Sequence, residues 1–258
     1  MRILRSACIA LSMYTRLPVP QFSWEEEDMR YAICFFPGAG VLAGAALFLW
    51  LRAADRLSLP GMTKYIAAVM IPVLVTGGIH LDGFMDTSDA LQSWGTRKKR
   101  LEILKDPHIG AFAVIRLITL AGICLAAAAC VKARAYGPWA VSLCFSRALS
   151  GLAAVRWEKA KKQGTLNSFS AKGAETGASL VLSAEALVFA GLMGFLDPAT
   201  GIPAVSAGLL VMGYYRYMSR KQFGGITGDL AGWFVCVSEA AMLCAMAAVC
   251  VMLPAAAG

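Results

Sequence analysis

The string HLDGFMDTSD, residues 80 to 89, carries the densest chemical information in this 258-residue chain. Asp82, Asp86 and Asp89 stand at i, i+4 and i+7, so on a helix of 3.6 residues per turn they share an arc of roughly 60°. A single Asp there would be an ordinary helix start favoured by the dipole. Three in register repel one another unless a cation holds them. A hard divalent ion, most economically Mg2+, takes oxygen ligands and bridges carboxylates to substrate phosphates. His80 is the non-carboxylate base beside the cluster, although a histidine ending a span is also a common hydrogen-bonded structural residue.

Two further segments offer groups of the same kind. RKKRLEILKDPHIG, residues 97 to 110, opens with a basic run of the sort that anchors a loop to lipid, then brings Lys105 and Asp106. GGITGD, residues 224 to 229, has glycines at 225 and 228 that let backbone approach a ligand closely, and ends on Asp229. The expected metal set is Asp82, Asp86, Asp89, Asp106 and Asp229, with Lys105, Gly225 and Gly228 at the substrate. Metal held by carboxylates beside cations is the apparatus of phosphoryl transfer: it neutralises developing charge, and a carboxylate can accept a hydroxyl proton. Spacing alone does not name the substrate.

These groups need elements to hold them, and composition says which. Hydrophobic residues make up 58% of the chain and charged residues 16%, with a mean hydropathy of +0.62, against roughly 45–50% and 25% in a soluble domain. Too little polar residue remains to clothe a water-exposed surface, so the chain reads as a polytopic all-α membrane bundle forming one domain, 1–258. Apolar blocks long enough to span lie near 32–51, 63–80, 110–131, 138–155, 178–196, 202–219 and 230–253, about seven in all. Pro37, Gly40, Gly44, Pro72, Gly77 and Gly78 inside the spans predict close helix packing and a break before residue 80. Residues 1–14 are too short an apolar stretch for a span and lack a cleavage site, which predicts an interfacial helix.

With the N-terminus inside, the segments 1–31, 81–109, 156–177 and 216–229 hold 17 Lys and Arg against five in the opposite loops. That imbalance places the N-terminus and all the candidate site segments on the cytoplasmic face of a cell membrane. The net charge of +8 is spread as short runs between apolar blocks, which fits anionic lipid and not nucleic acid. The eight cysteines show no C-x2-C pairing and sit in apolar runs, so neither zinc nor a disulfide framework is expected. Arg147 falls inside a predicted span and must face an acid, a substrate phosphate or a water-filled cavity. Self-association into a homo-oligomer is left open.

On these residues the sequence resembles the cobalamin synthase family, the adenosylcobinamide-GDP ribazoletransferases. The matching pieces are TRLPVP at 15–20, Phe36-Pro37 with Gly40 and Gly44, TGGIHLDGFMDTSD at 76–89, the R-LEI-KD-IG pattern over 100–110, Ser146-Arg147, and GGITGD with Gly232 and Glu239. They run almost end to end, and HLDG-x2-DT-x-D is highly specific. The resemblance implies an integral membrane enzyme that joins adenosylcobinamide-GDP to alpha-ribazole or its 5'-phosphate, releases GMP and requires Mg2+; it also adds Arg16 and Arg147 to the substrate-binding candidates. Met85, Ala113 and Leu230-Ala231 depart from the family pattern, which touches local packing or acceptor preference and no carboxylate. A CDP-alcohol phosphatidyltransferase is the nearest rival, but no Ala-Arg follows Asp82-Gly83. A transporter would carry its charges at the midplane and not at one rim.

Overall fold

Gly77 and Gly78 both adopt left-handed backbone, φ +67° and +84°, which an L side chain resists and glycine does not. They end one helix and turn the chain through 96° into the next, as the sequence predicts. The computed structural model describes residues 2–20, 22, 26–160 and 175–253. Its helices are α1 (Arg2–Tyr14), α2 (Glu26–Ala32), α3 (Phe36–Arg56), α4 (Gly61–Thr76), α5 (Ile79–Gln92), α6 (Arg97–Ile103), α7 (Ala111–Cys130), α8 (Tyr136–Arg156), α9 (Glu175–Leu196), α10 (Pro198–Met218) and α11 (Gly228–Met252). Short 3-10 turns precede α3 and α8, and a π turn, Ser219–Phe223, follows α10. Among the described residues there is no strand, only one isolated parallel bridge between Lys159 and Ile226.

Among the described residues, five helical stretches are long and apolar enough to cross a bilayer: Ile33–Arg56, Ala111–Cys130, Ala133–Arg156, Thr176–Leu196 and Gly228–Met252. The α4–α5 pair adds a sixth only if it is counted as one broken span. Two helices at 96° cannot both follow the bilayer normal; α4 packs on α3 and α7, and α5 packs on α11 and α7. The expected count of about seven also includes α10. That helix has 21 residues, enough length to span, but its last turns hold Tyr214, Tyr215, Arg216 and Tyr217, which dilute its apolar content. The all-α membrane architecture stands; α1, at 13 residues, is too short to cross.

The bundle is organised around α8, which packs against α3, α9 and α11 and is buried almost throughout. Gly40 and Gly44 of α3 lie on the α8 backbone: a Cβ on Gly40 would come within 2.5 Å of the Leu143 carbonyl oxygen. Small residues bring the backbones together where lipid gives no hydrophobic drive for helices to associate. Arg147, 1% exposed, is satisfied inside this core, where its Nη1 donates to Glu239 Oε1 of α11 at 2.5 Å and to the Leu143 carbonyl at 2.6 Å, while Ser146 Oγ donates to the same Glu239 oxygen at 2.8 Å. At another corner Lys64 of α4, which the charge pattern assigns to a loop, is buried and paired with Asp55 of α3 and the Tyr136 hydroxyl of α8.

Candidate active site

The site forms where α5 crosses the start of α11. A Cβ on Gly83 would sit 2.7 Å from the Asp229 carbonyl oxygen, and one on Gly232 would sit 2.9 Å from that of His80. Only glycine at both positions lets the two backbones touch. That contact brings Asp229 up to α5, near enough to Asp86 for the two carboxylates to interact. The sequence shows why α11 begins here: Thr227 caps it, its Oγ1 accepting from Leu230 N–H at 3.2 Å, and the same hydroxyl lies 3.4 Å from Asp229 Oδ2.

Asp82 is exposed and lines an open cleft of about 380 Å³ with Gly77, Gly78, Ile79, Leu81 and Met85. Arg16 lies across Gly77 at its edge, close enough that a Cβ there would meet Arg16 Cγ at 2.5 Å, and its N–H bonds to the Val75 carbonyl at 2.9 Å. Met85, one of the departures from the family pattern, is thus a wall of the cleft. Asp86 is half-buried, and burial pushes its carboxyl up to about 6, with the charges of Asp82, Asp229 and Asp89 adding to the effect. This coupling shows that Asp82, Asp229 and Asp89 lie close enough to Asp86 to oppose its ionisation.

Asp89 is occupied otherwise than the helical face suggests. Its Oδ2 accepts from Gly110 N–H at 2.7 Å and its Oδ1 from Ala113 N–H at 2.8 Å, so it caps the start of α7 from 21 residues away. A Cβ on Gly110 would collide with this carboxylate at 2.5 Å. Both oxygens are therefore spent on a helix that has no local side-chain cap. Asp89→Ala should destabilise the protein by about 1–2 kcal/mol while shifting the Mg2+ concentration for half-maximal activity less than tenfold. A Mg2+ titration of that variant's activity, alongside its melting temperature in detergent, checks this.

The other candidates divide. Lys105 and Asp106 are exposed on the loop after α6, where Asp106 Oδ1 accepts from His108 Nδ1 at 2.7 Å and from its backbone N–H at 3.0 Å; that histidine lowers the Asp106 carboxyl. Nothing among its contacts joins Asp106 to Asp82, Asp86 or Asp229. Gly228 opens α11 in free space, as a ligand approach requires, but Gly225, φ +152°, is buried against Glu158 to Ala160. Its neighbour Ile226 exchanges backbone hydrogen bonds with Glu158 and Ala160 at 2.9 and 3.0 Å, so Gly225 makes room for chain and not for ligand. The His80 ring turns inward against Phe36 and Tyr14, with centroids at 5.5 and 6.3 Å. Arg147 is paired with Glu239, as the demand for an interior partner requires. Sequence reasoning did not single out Gly83 and Gly232 as a contacting pair; the available signal was a glycine directly after Asp82 and another three residues after Asp229.

As placed, no three His, Cys, Asp or Glu side chains among the described residues converge on a common point that could hold an ion. In donor chemistry and charge, Asp82, Asp86 and Asp229 nevertheless fit a hard divalent cation: all are carboxylates, and their mutual repulsion is what such a charge relieves.

A helical membrane protein whose broken helix carries a carboxylate cleft is the class that fold and site define. Within that class, the cobalamin-5-phosphate synthase family model matches residues 6–247. The adenosylcobinamide-GDP ribazoletransferase of Lachnoclostridium phytofermentans is 37% identical over 235 residues, covering 91% of this chain and 90% of that one. Enzymes of the same name from Azorhizobium caulinodans and Clostridium botulinum are 32% and 30% identical, each over more than nine-tenths of both chains. No solved structure matches. The chain belongs to the cobalamin-5-phosphate synthase family.

Proposed function

We propose that this protein joins adenosylcobinamide-GDP to alpha-ribazole or its 5'-phosphate at the cytoplasmic face of the cell membrane. The family and the relatives' names support the substrates. The observation that carries the chemistry is the Gly83–Gly232 crossing, which brings Asp229 up to α5 and its Asp86, while Asp82 on the same helix opens to the cleft beside Arg16. The bond that forms joins a ribose hydroxyl oxygen to the corrinoid-side phosphorus; the bond that breaks frees GMP, and the hydroxyl proton passes to a carboxylate of the cleft. Mg2+, held by Asp82, Asp86 and Asp229, would neutralise charge on the diphosphate oxygens. Arg16 meets that diphosphate at the cleft edge, while Asp89 fixes α7 against α5 and keeps the carboxylate helix in place. The 17 basic residues on the segments that include this rim support the cytoplasmic placement.

The test is direct. Purified protein supplied with both substrates and MgCl2 should release GMP in step with the joined corrinoid product, and EDTA should stop it. Absence of GMP release rejects the reaction, and release unaffected by EDTA rejects the metal.

A further inference from the structure

Where α8 and α10 end, three arginines face one small cleft. It is lined by Arg156, Trp157, Glu158, Arg216, Ser219 and Arg220 and has a volume of about 180 Å³. At ~30 Å³ per water that is room for about six waters, enough to seat a phosphate. Among the described residues, no ion pair engages any of the three guanidinia. Basic residues at helix C-termini are favoured by the dipole, but that effect calls for each at its own helix end, not three in one cleft. The Arg216 guanidinium lies over the Trp157 ring at 5.8 Å, and that ring packs on Tyr215 with centroids 5.2 Å apart, so one fork is held in position before any ligand arrives. Three arginines and Glu158 leave two positive charges, matching a phosphomonoester dianion.

The cleft is tied to the carboxylates through the backbone. Ile226 N–H bonds to the Glu158 carbonyl at 2.9 Å, and Asp229 follows three residues later. Chain geometry therefore keeps Glu158 and Asp229 within about 15 Å. We propose that this arginine cleft is a second anion subsite, which takes the 5'-phosphate of the acceptor riboside while its ribose hydroxyl reaches the reacting diphosphate at the carboxylates. The assignment rests on the reaction proposed above, and it names the side chains that select the phosphorylated riboside over the free one.

Full-length enzyme with saturating donor and Mg2+, assayed on the riboside with and without its 5'-phosphate, should favour the phosphorylated form in kcat/KM by about tenfold or more. Arg156→Ala/Arg220→Ala should reduce that ratio at least about tenfold, and Lys at both positions should restore only part, because the bidentate fork is lost. Equilibrium dialysis of inorganic phosphate against protein in detergent should show a saturable site that the double variant loses while keeping its melting temperature. An unaltered ratio, or equal loss on both acceptors, overturns the proposal. If neither acceptor is turned over, the proposed reaction fails separately, and phosphate retention by the folded double variant still overturns the subsite. If the substitutions change only how activity depends on phosphatidylglycerol in reconstituted vesicles, the arginines serve the lipid surface and the proposal falls.

Discussion

Asp86→Asn is expected to lose about three orders of magnitude in kcat at saturating Mg2+ and to melt at a higher temperature than the parent protein in EDTA. Both follow from one fact. The Asp86 carboxyl is pushed up to about 6 by burial and by the charges of Asp82, Asp229 and Asp89. A carboxyl that holds its proton more tightly folded than unfolded makes its stability contribution at low pH, fully below about 4, and loses it as pH rises through about 6. In the metal-free protein at neutral pH, ionised Asp86 therefore opposes folding, and an amide of the same shape removes the repulsion. Melting curves from pH 4 to 7.5 in EDTA should fall with pH for the parent and flatten for the variant. Added Mg2+ should raise the parent's melting temperature much more than the variant's. Near-normal turnover of Asp86→Asn, or a melting curve parallel to the parent's, removes Asp86 from the site.

The second large effect is structural. Arg147→Ala leaves Glu239 inside the bundle without its partner and should destabilise the protein by about 3–5 kcal/mol, enough to abolish accumulation in the membrane. Arg147 is 1% exposed and bonds to both Glu239 and the Leu143 carbonyl, so the deletion also uncovers a carbonyl in the core. Because the loss is mainly that of an orphaned charge, Arg147→Met/Glu239→Gln should recover most of the stability, and a double-mutant cycle on melting temperature should show strong coupling. If Arg147→Ala melts like the parent, the pair is not what joins α8 to α11. The paired variant also separates stability from catalysis: an arginine that only holds the bundle leaves the KM for the donor close to normal once folding is restored.

Much of the site was legible because the information is local. Asp82 and Asp86 share a face through a four-residue spacing that any helix imposes, and two successive glycines announce a turn no other residue pair adopts so readily. Asp89 shows the limit of that reasoning. It lies on the same face as the other two, but its oxygens go to N–H groups at 110 and 113, whose helix starts without a cap of its own. Asp106 shows the converse: a carboxylate on a promising loop is satisfied by His108 two residues on, an Asx-type local bond that outcompetes a distant ligand role. The span count is ambiguous at α10, where length is sufficient but three tyrosines and an arginine crowd its last turn.

What the sequence by itself determined is the class of structure and the kind of chemistry: a chain too apolar for water must bury itself as helices in lipid, and carboxylates repeating at helical spacing must be neutralised by something positive. Which carboxylates meet, and which arginine is spent on an acid, was decided only by the tertiary structure. Periodicity fixes the face of one helix, whereas the partner of a charge depends on which two helices approach closely enough to exclude everything between them. Here that approach is set by Gly83 against Gly232, where the absence of two side chains brings Asp229 up to the helix of Asp82 and Asp86 and leaves Asp106 outside.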